Sequence, residues 1–217
     1  MLEELKQANE YIYSKLNEKN KLFLELEEYA EIHNVPIITK EVKEFLRFLL
    51  STGKYKNILE IGSAIGYSAL VMSKALNDNC NITTIEIDEE RYNIAKENFQ
   101  KSNNQNINIL LGDALDILPT LNDKYDFVFI DASKGQYQKF FELSYKLLNE
   151  NGLIFIDNIM FRGYLYKDYP KRFKTIVKKL DSFIDYLYQN HDFTLLPFGD
   201  GIGLTHKKVT TFRKKDS

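Results

Sequence analysis

The chain has 217 residues, of which 44% are hydrophobic and 29 are aromatic (14 Tyr and 15 Phe), enough apolar surface for one full core. This composition excludes a chain that is disordered throughout. The 29 Lys and Arg nearly balance the 31 Asp and Glu, which excludes a strong overall field toward nucleic acid or an anionic membrane. Residues 162–217 nevertheless carry 12 basic and 6 acidic side chains, a local excess that hints at a polyanionic partner.

The cysteine content and the apolar runs bear on the compartment. The single cysteine, Cys80, excludes an intramolecular disulfide and favours a reducing environment. No apolar run approaches the roughly 18 residues that span a membrane. The first residues lack the apolar core of a secretory signal. We therefore expect a cytoplasmic protein without a membrane segment.

The first 52 residues are predicted to form a helical extension packed on the same domain. Apolar residues recur at helical spacing behind Thr39, a possible N-cap, at Val42, Phe45, Leu46, Leu49 and Leu50. Gly53 ends that helix. The apolar surface of these helices, which includes Leu16, Phe23 and Leu24, predicts a homodimer.

Residues 53–208 are predicted to form a doubly wound α/β domain. Strongly apolar runs alternate with helical segments, in the order NILEIG, NITTIEID, NINILLGD, YDFVFIDA and GLIFIDN. This alternation is typical of a mostly parallel sheet that is covered on both faces. Two later runs, DFTLLPFG and IGLTHK, meet at a glycine-containing turn and predict an antiparallel hairpin at one edge, giving seven strands. Residues 209–217 follow as a basic tail.

The ends of the first three strands predict a nucleoside pocket. Ligands of such sheets bind beyond the carboxyl ends of the strands. Gly62 and Gly66 follow the first strand, where glycine lets the backbone approach a ligand and the next helix offers free N–H groups. The spacing matches neither a dinucleotide fingerprint nor a P-loop. Glu86 suits ribose hydroxyls and Asp113 an amino group such as that of adenine. Each element alone is often structural, but together they predict an S-adenosylmethionine pocket.

The fourth and fifth strands end in oxygen-bearing side chains. Asp131 follows one strand, and Asp157 and Asn158 follow the other. Adjacent strands lie about 4.8 Å apart, so these groups converge if the two strands are neighbours. Such ligands suit Mg²⁺ or Ca²⁺; the alternative is that Asp157 and Asn158 only turn the chain. Lys134 is a candidate general base or electrostatic partner beside that metal, or a surface lysine.

The segments ILEIGSAIGYSAL, FIDASKGQYQKFFE and DNIMFRGYL resemble the cation-dependent O-methyltransferases of the catechol and caffeoyl-CoA type. Within that family the arrangement is most similar to the subgroup that methylates 5-hydroxyuridine in bacterial tRNA. The resemblance implies a Rossmann-like class I methyltransferase fold, S-adenosylmethionine, and Mg²⁺ with Mn²⁺ or Ca²⁺ able to occupy the same site. It implies metal ligands at Asp131, Asp157 and Asn158, and catalytic roles for Asp131 and Lys134. It also implies cofactor contacts at Ile38, Glu60, Gly62, Tyr67, Ser68, Glu86, Asp113, Ala114 and Asp131.

The resemblance and the basic C-terminal quarter together predict methylation of tRNA 5-hydroxyuridine to 5-methoxyuridine at the wobble position. Catechols and caffeoyl-CoA also present two adjacent oxygens, so a small-molecule acceptor is the alternative. More distant alternatives are a nicotinamide-dependent oxidoreductase and a noncatalytic binding module. The candidate RNA contacts are the cations expected near the active-site rim, which alternatively form only a solvated helix face: Arg162, Lys171, Arg172, Lys174 and Lys178.

Overall fold

The computed structural model describes residues 2–208, so the predicted basic tail, residues 209–217, lies outside the described residues. Three helices precede the first strand: α1 (Leu2–Lys15), α2 (Lys21–His33) and α3 (Lys40–Thr52). The Asn20 side chain caps α2 by accepting a hydrogen bond from the Leu22 N–H at 3.0 Å. Helix α3 starts after Thr39 and stops at Gly53, as the sequence predicts.

A seven-stranded sheet forms the centre of the molecule. Its strands are β1 (Asn57–Ile61), β2 (Asn81–Glu86), β3 (Ile107–Leu111), β4 (Tyr125–Ile130), β5 (Leu148–Ile156), β6 (Asp192–Leu196) and β7 (Ile202–His206). They lie in the order β3-β2-β1-β4-β5-β7-β6. Six strands run in one direction, and β7 is antiparallel to both of its neighbours. The prediction of a doubly wound, mostly parallel sheet with an edge hairpin is confirmed.

Helices cover both faces of the sheet. The connecting helices are α4 (Tyr67–Ala75), α5 (Glu89–Lys101), α6 (Ala114–Ile117), α7 (Tyr137–Leu147) and α8 (Lys174–Asn190). Alternate residues of β4 serve opposite cores: Phe127 and Phe129 pack with α2 to α5, whereas Val128 and Ile130 pack with α6 to α8. Burial on both faces explains why the central strands are almost wholly apolar.

The helical extension contributes to the first of these cores. Phe23, which the sequence suggested for a dimer surface, is 3% exposed and packs inside the protein, so that assignment is wrong. Leu24, the next residue, is 48% exposed because it lies on the opposite side of α2. The homodimer itself stays a prediction. Within residues 2–208 every helix is too short or too polar to cross a membrane.

Candidate active site

The turn between β1 and α4 has a backbone that only glycine fits well. Gly62 and Gly66 have φ angles of 97° and 82°, in the region that L side chains rarely adopt. A Cβ atom at Gly62 would also clash with the backbone carbonyl oxygen of Asp131. The Gly62 N–H donates to the Ile85 carbonyl at 3.0 Å. The absence of side chains therefore lets the ends of β1 and β4 come together beneath the turn.

The two strand-end acids support the loops around them. One carboxylate oxygen of Glu86 accepts the Ala64 N–H at 2.7 Å, and the other accepts the N–H groups of Ile87 and Asp88 at 3.0 and 2.9 Å. Asp113 accepts the Leu115 N–H at 2.8 Å and caps α6. A carboxylate has about four acceptor positions. Both acids thus have a structural role, and each still has an acceptor position available for a ligand.

A cavity of about 450 Å³ opens over this turn, within the size range of small-molecule sites. Its wall includes eight of the nine residues predicted to contact the cofactor: Ile38, Gly62, Tyr67, Ser68, Glu86, Asp113, Ala114 and Asp131. Sequence reasoning did not assign Arg91 or Phe140 to this cavity. Phe140 fits helical core spacing equally well, so no local signal separates the two roles.

Glu60 is the exception, because it does not line the cavity. Its side chain is fully buried, with one oxygen 2.5 Å from the Ser68 hydroxyl and the other 2.5 Å from the Thr84 hydroxyl. Burial raises the pKa of Glu60 from 4.5 to about 7, although both hydroxyl hydrogen bonds oppose the shift. Glu60 therefore contacts the cavity wall through Ser68 and does not line the cavity itself, and its contact with the cofactor stays a prediction.

Asp131, Lys134, Asp157 and Asn158 meet at one side of the cavity, which we name the acidic corner. Strands β4 and β5 are neighbours, with Ile130 opposite Ile156, as the convergence of these residues requires. The Asp131 Oδ1 atom accepts from Lys134 Nζ at 3.0 Å and from Asn158 Nδ2 at 3.2 Å. Three of the four residues line the cavity, whereas Asp157 is 1% exposed and lies just beneath.

The donor set of the acidic corner fits a hard divalent cation. Burial and then repulsion from Asp131 raise the pKa of Asp157 well above its ordinary value of 3.8. A cation between these oxygens relieves that repulsion. In the described part of the chain no group of three or more His, Cys, Asp or Glu side chains is arranged to hold a metal. The candidate site consequently depends on two carboxylates and one amide.

A partly buried polar network links the cavity to the N-terminal helices. The Tyr67 hydroxyl donates to Glu27 of α2, and Lys43 of α3 lies 2.7 Å from the same carboxylate and 3.3 Å from Glu18. The Lys43 side chain is only 4% exposed. Sequence patterns did not predict this network, because its partners lie 16 to 40 residues apart with no fixed spacing.

The five candidate RNA contacts do not line the cavity. They lie in the loop after β5, in the short 3₁₀ helix Lys171–Phe173 and on the outer face of α8, and all five are exposed. The loop leaves the sheet at the carboxyl end of β5, where the acidic corner also lies. The loop that carries Arg162 therefore begins at the acidic corner, but none of the five cations is part of the cavity wall.

Comparison with known proteins identifies the family. The sequence profile of the O-methyltransferase family matches residues 14–208. The chain belongs to this O-methyltransferase family. The caffeoyl-CoA O-methyltransferase of Stellaria longipes is 31% identical over 172 residues, which cover 73% of this chain and 71% of that protein. The catechol O-methyltransferase of Niastella koreensis is 34% identical over 125 residues, which cover 55% of this chain and 57% of that protein.

A solved structure extends the similarity to the fold. The O-methyltransferase from Bacillus cereus, determined in complex with SAH, matches this chain with a TM-score of 0.83 at 25% identity. The match covers 95% of this chain and 100% of that one. This family member is thus an S-adenosylmethionine-dependent O-methyltransferase with the Rossmann-like fold that the resemblance implied.

Proposed function

We propose that this O-methyltransferase depends on a divalent cation and methylates one of two adjacent oxygens on a small aromatic acceptor. The acidic corner carries the proposal, because two carboxylates and an amide meet beside the cofactor cavity at the ends of adjacent strands. The names of the two relatives, one a caffeoyl-CoA and one a catechol O-methyltransferase, support this acceptor class over tRNA.

S-adenosylmethionine supplies the transferable methyl group when it is bound. We propose that the turn at Gly62 receives it, because Gly62 presents backbone without a side chain to the cavity. Glu86 and Asp113 would accept hydrogen bonds from its hydroxyl and amino groups. Tyr67 and Ile38 add apolar surface to the same wall and exclude water from it.

Asp131, Asp157 and Asn158 would hold the cation. A bound divalent cation supplies positive charge that stabilises an ionised acceptor hydroxyl. The backbone of Asp157 is fixed independently, since the fully buried Tyr137 hydroxyl donates to its carbonyl at 2.7 Å. The chain thus prepares the orientation of this ligand before anything binds.

Lys134 is proposed to act on the acceptor hydroxyl as the group that takes its proton. Its Nζ atom lies beside Asp131 and 5.3 Å from the centre of the Tyr137 ring, so the side chain is directed along the cavity wall. A lysine in this position has the reach for proton transfer, whereas an arginine there would keep its charge and could not accept a proton.

The test is methyl transfer from labelled S-adenosylmethionine to catechol, with Mg²⁺ and with EDTA. Transfer that requires Mg²⁺ is the expected result. Equal transfer in EDTA would contradict the cation requirement while leaving the enzyme class intact. Absence of transfer to catechol, with Mg²⁺-dependent transfer to tRNA that contains 5-hydroxyuridine, would replace the acceptor class.

The exposed basic residues favour tRNA as a second candidate acceptor. Lys174 and Lys178 lie on the outer face of α8, Lys171 begins the short 3₁₀ helix before it, and Arg162 lies in the loop after β5. If they contact phosphates, each lost cation reduces the salt dependence of tRNA binding by about one unit of slope. The variants Lys174→Gln and Lys178→Gln test this, with Lys101→Gln, an exposed lysine on α5, as the control.

A further inference from the structure

The turn between β6 and β7 holds the segment that follows β5. We name residues 158–163 the β5 loop. The Ile159 N–H donates to the Gly201 carbonyl at 3.1 Å, and the Met160 N–H donates to the Asp200 carbonyl at 2.9 Å. The Asp200 carboxylate accepts the next two hydrogen bonds, from the N–H groups of Arg162 and Gly163, the latter at 3.2 Å. Asp200 thus receives three of these four hydrogen bonds.

The conformation of the β5 loop explains why it needs such support. Asn158, Phe161 and Arg162 have φ angles of 55°, 46° and 61°, and Gly163 follows at 73°. Residues other than glycine seldom adopt these angles, and a run of them persists only where neighbouring groups hold the chain. A carboxylate that accepts backbone N–H groups is a strong support, because the hydrogen bonds are charge-assisted.

The first residue of the β5 loop belongs to the acidic corner. The Asn158 side chain donates to Asp131 at 3.2 Å, and its backbone N–H donates to Asp157 at 2.8 Å. We propose that Asp200 is a positioning residue: its carboxylate fixes the β5 loop and thereby holds the Asn158 amide at the cation site. The inference rests on the proposed function, because it assigns Asp200 to the site where that function needs a cation. Asp200 itself does not line the cavity.

Two substitutions separate the hydrogen bonds of Asp200 from its charge. Asp200→Ala removes the charge and both side-chain acceptors and keeps the backbone carbonyl that accepts from Met160, whereas Asp200→Asn removes the charge and keeps one side-chain acceptor oxygen. Asp192→Asn is the matched control, because Asp192 begins β6 in the same hairpin, is half exposed and pairs with Lys208. The readouts are amide hydrogen exchange of residues 159–163, Mn²⁺ affinity of the protein without S-adenosylmethionine, and the KM and kcat for catechol.

Asp200→Ala is expected to speed exchange in the β5 loop at least 10-fold and to weaken Mn²⁺ binding by roughly 10- to 100-fold, the usual effect of losing support around a metal ligand. The KM for catechol should rise with it. Asp200→Asn should recover part of the loss, because its single amide oxygen can accept only one of the two N–H groups that the carboxylate oxygens accept. Asp192→Asn should match the wild type.

Three results would overturn the inference. One is unchanged exchange in Asp200→Ala, and another is faster exchange with unchanged Mn²⁺ affinity. The third is an Asp200→Asn variant that exchanges like the wild type but binds Mn²⁺ as poorly as Asp200→Ala, which would make charge the cause. A wild-type protein that binds no Mn²⁺ would contradict the proposed function itself, and the inference with it.

Discussion

The buried carboxyl group of Glu60 predicts a stability difference that grows with pH. Folding raises the pKa of Glu60 from 4.5 to about 7, and burial is the largest cause. A carboxyl group of this kind binds its proton more tightly in the folded state. The associated stability is fully present below pH 4.5 and is lost as the pH rises through about 7.

The size of the effect follows from the shift. One pKa unit corresponds to about 1.36 kcal/mol, so the free energy of unfolding falls by roughly 3 kcal/mol as Glu60 ionises. Roughly 2.5 kcal/mol of this loss occurs between about pH 5 and pH 8. Glu60→Gln replaces the neutral acid with an amide of the same shape, which can still pair with the hydroxyls of Ser68 and Thr84. The unfolding free energy of the variant relative to the wild type should therefore rise by roughly 2.5 kcal/mol from about pH 5 to about pH 8.

Urea unfolding of both proteins at about pH 5 and pH 8, in EDTA and without S-adenosylmethionine, measures this difference, provided that the slopes agree. Glu90→Gln is the control, because Glu90 is exposed in the first turn of α5. A stability difference between Glu60→Gln and wild type that stays constant within about 0.5 kcal/mol across these pH values would refute the reasoning.

Four further substitutions test the cavity and its supports. Gly62→Ala forces a Cβ against the Asp131 carbonyl at a φ of 97°, and should cost about 2 to 3 kcal/mol in urea unfolding and weaken S-adenosylmethionine binding at least about 10-fold by calorimetry. Lys43→Met leaves Glu27 and Glu18 without their buried cation and should lower the unfolding free energy by about 3 kcal/mol; a change below about 1 kcal/mol would contradict this. Asp157→Ala should abolish methyl transfer while calorimetry shows cofactor binding largely intact, and unchanged turnover would remove the cation proposal. Lys134→Arg should lose about 100-fold in kcat if Lys134 accepts a proton, whereas activity like the wild type would assign it an electrostatic role.

The fold was predictable because its signals are local and repeated. Five apolar runs separated by amphipathic segments allow few arrangements, since parallel strands need crossovers and these crossovers are right-handed. The sequence of the edge hairpin, residues 192–206, does not specify which of its strands joins β5. The structure pairs β7 with β5 and leaves β6 at the edge, a choice that depends on contacts with β5, about 50 residues earlier in the chain.

Residues at strand ends were the most predictable part of the candidate site. The carboxyl ends of parallel strands lie at one edge of the sheet whatever the conformation of the loops, which is why Asp131 and Asn158 line the cavity together. Glu60 was assigned a direct contact although it lies inside β1, one residue before the strand ends. Side chains alternate along a strand, so Glu60 shares the face of Ile58 and points into the core beneath α4. Alternation alone therefore predicts that the Glu60 side chain lies in the core.

The acceptor is harder to predict from the sequence than the chemistry, and the structure gives the reason. The cofactor side of the cavity is built by strand ends and one glycine turn, whose positions follow from the sheet. The side near the acidic corner depends on the β5 loop, which owes its shape to Asp200, a residue that follows Asn158 by more than 40 positions. Loops of this kind vary with little effect on the sheet beneath them. The strand ends that indicate the enzyme class therefore follow a repeating pattern in the chain, whereas the wall beside the acidic corner depends on a loop that follows none.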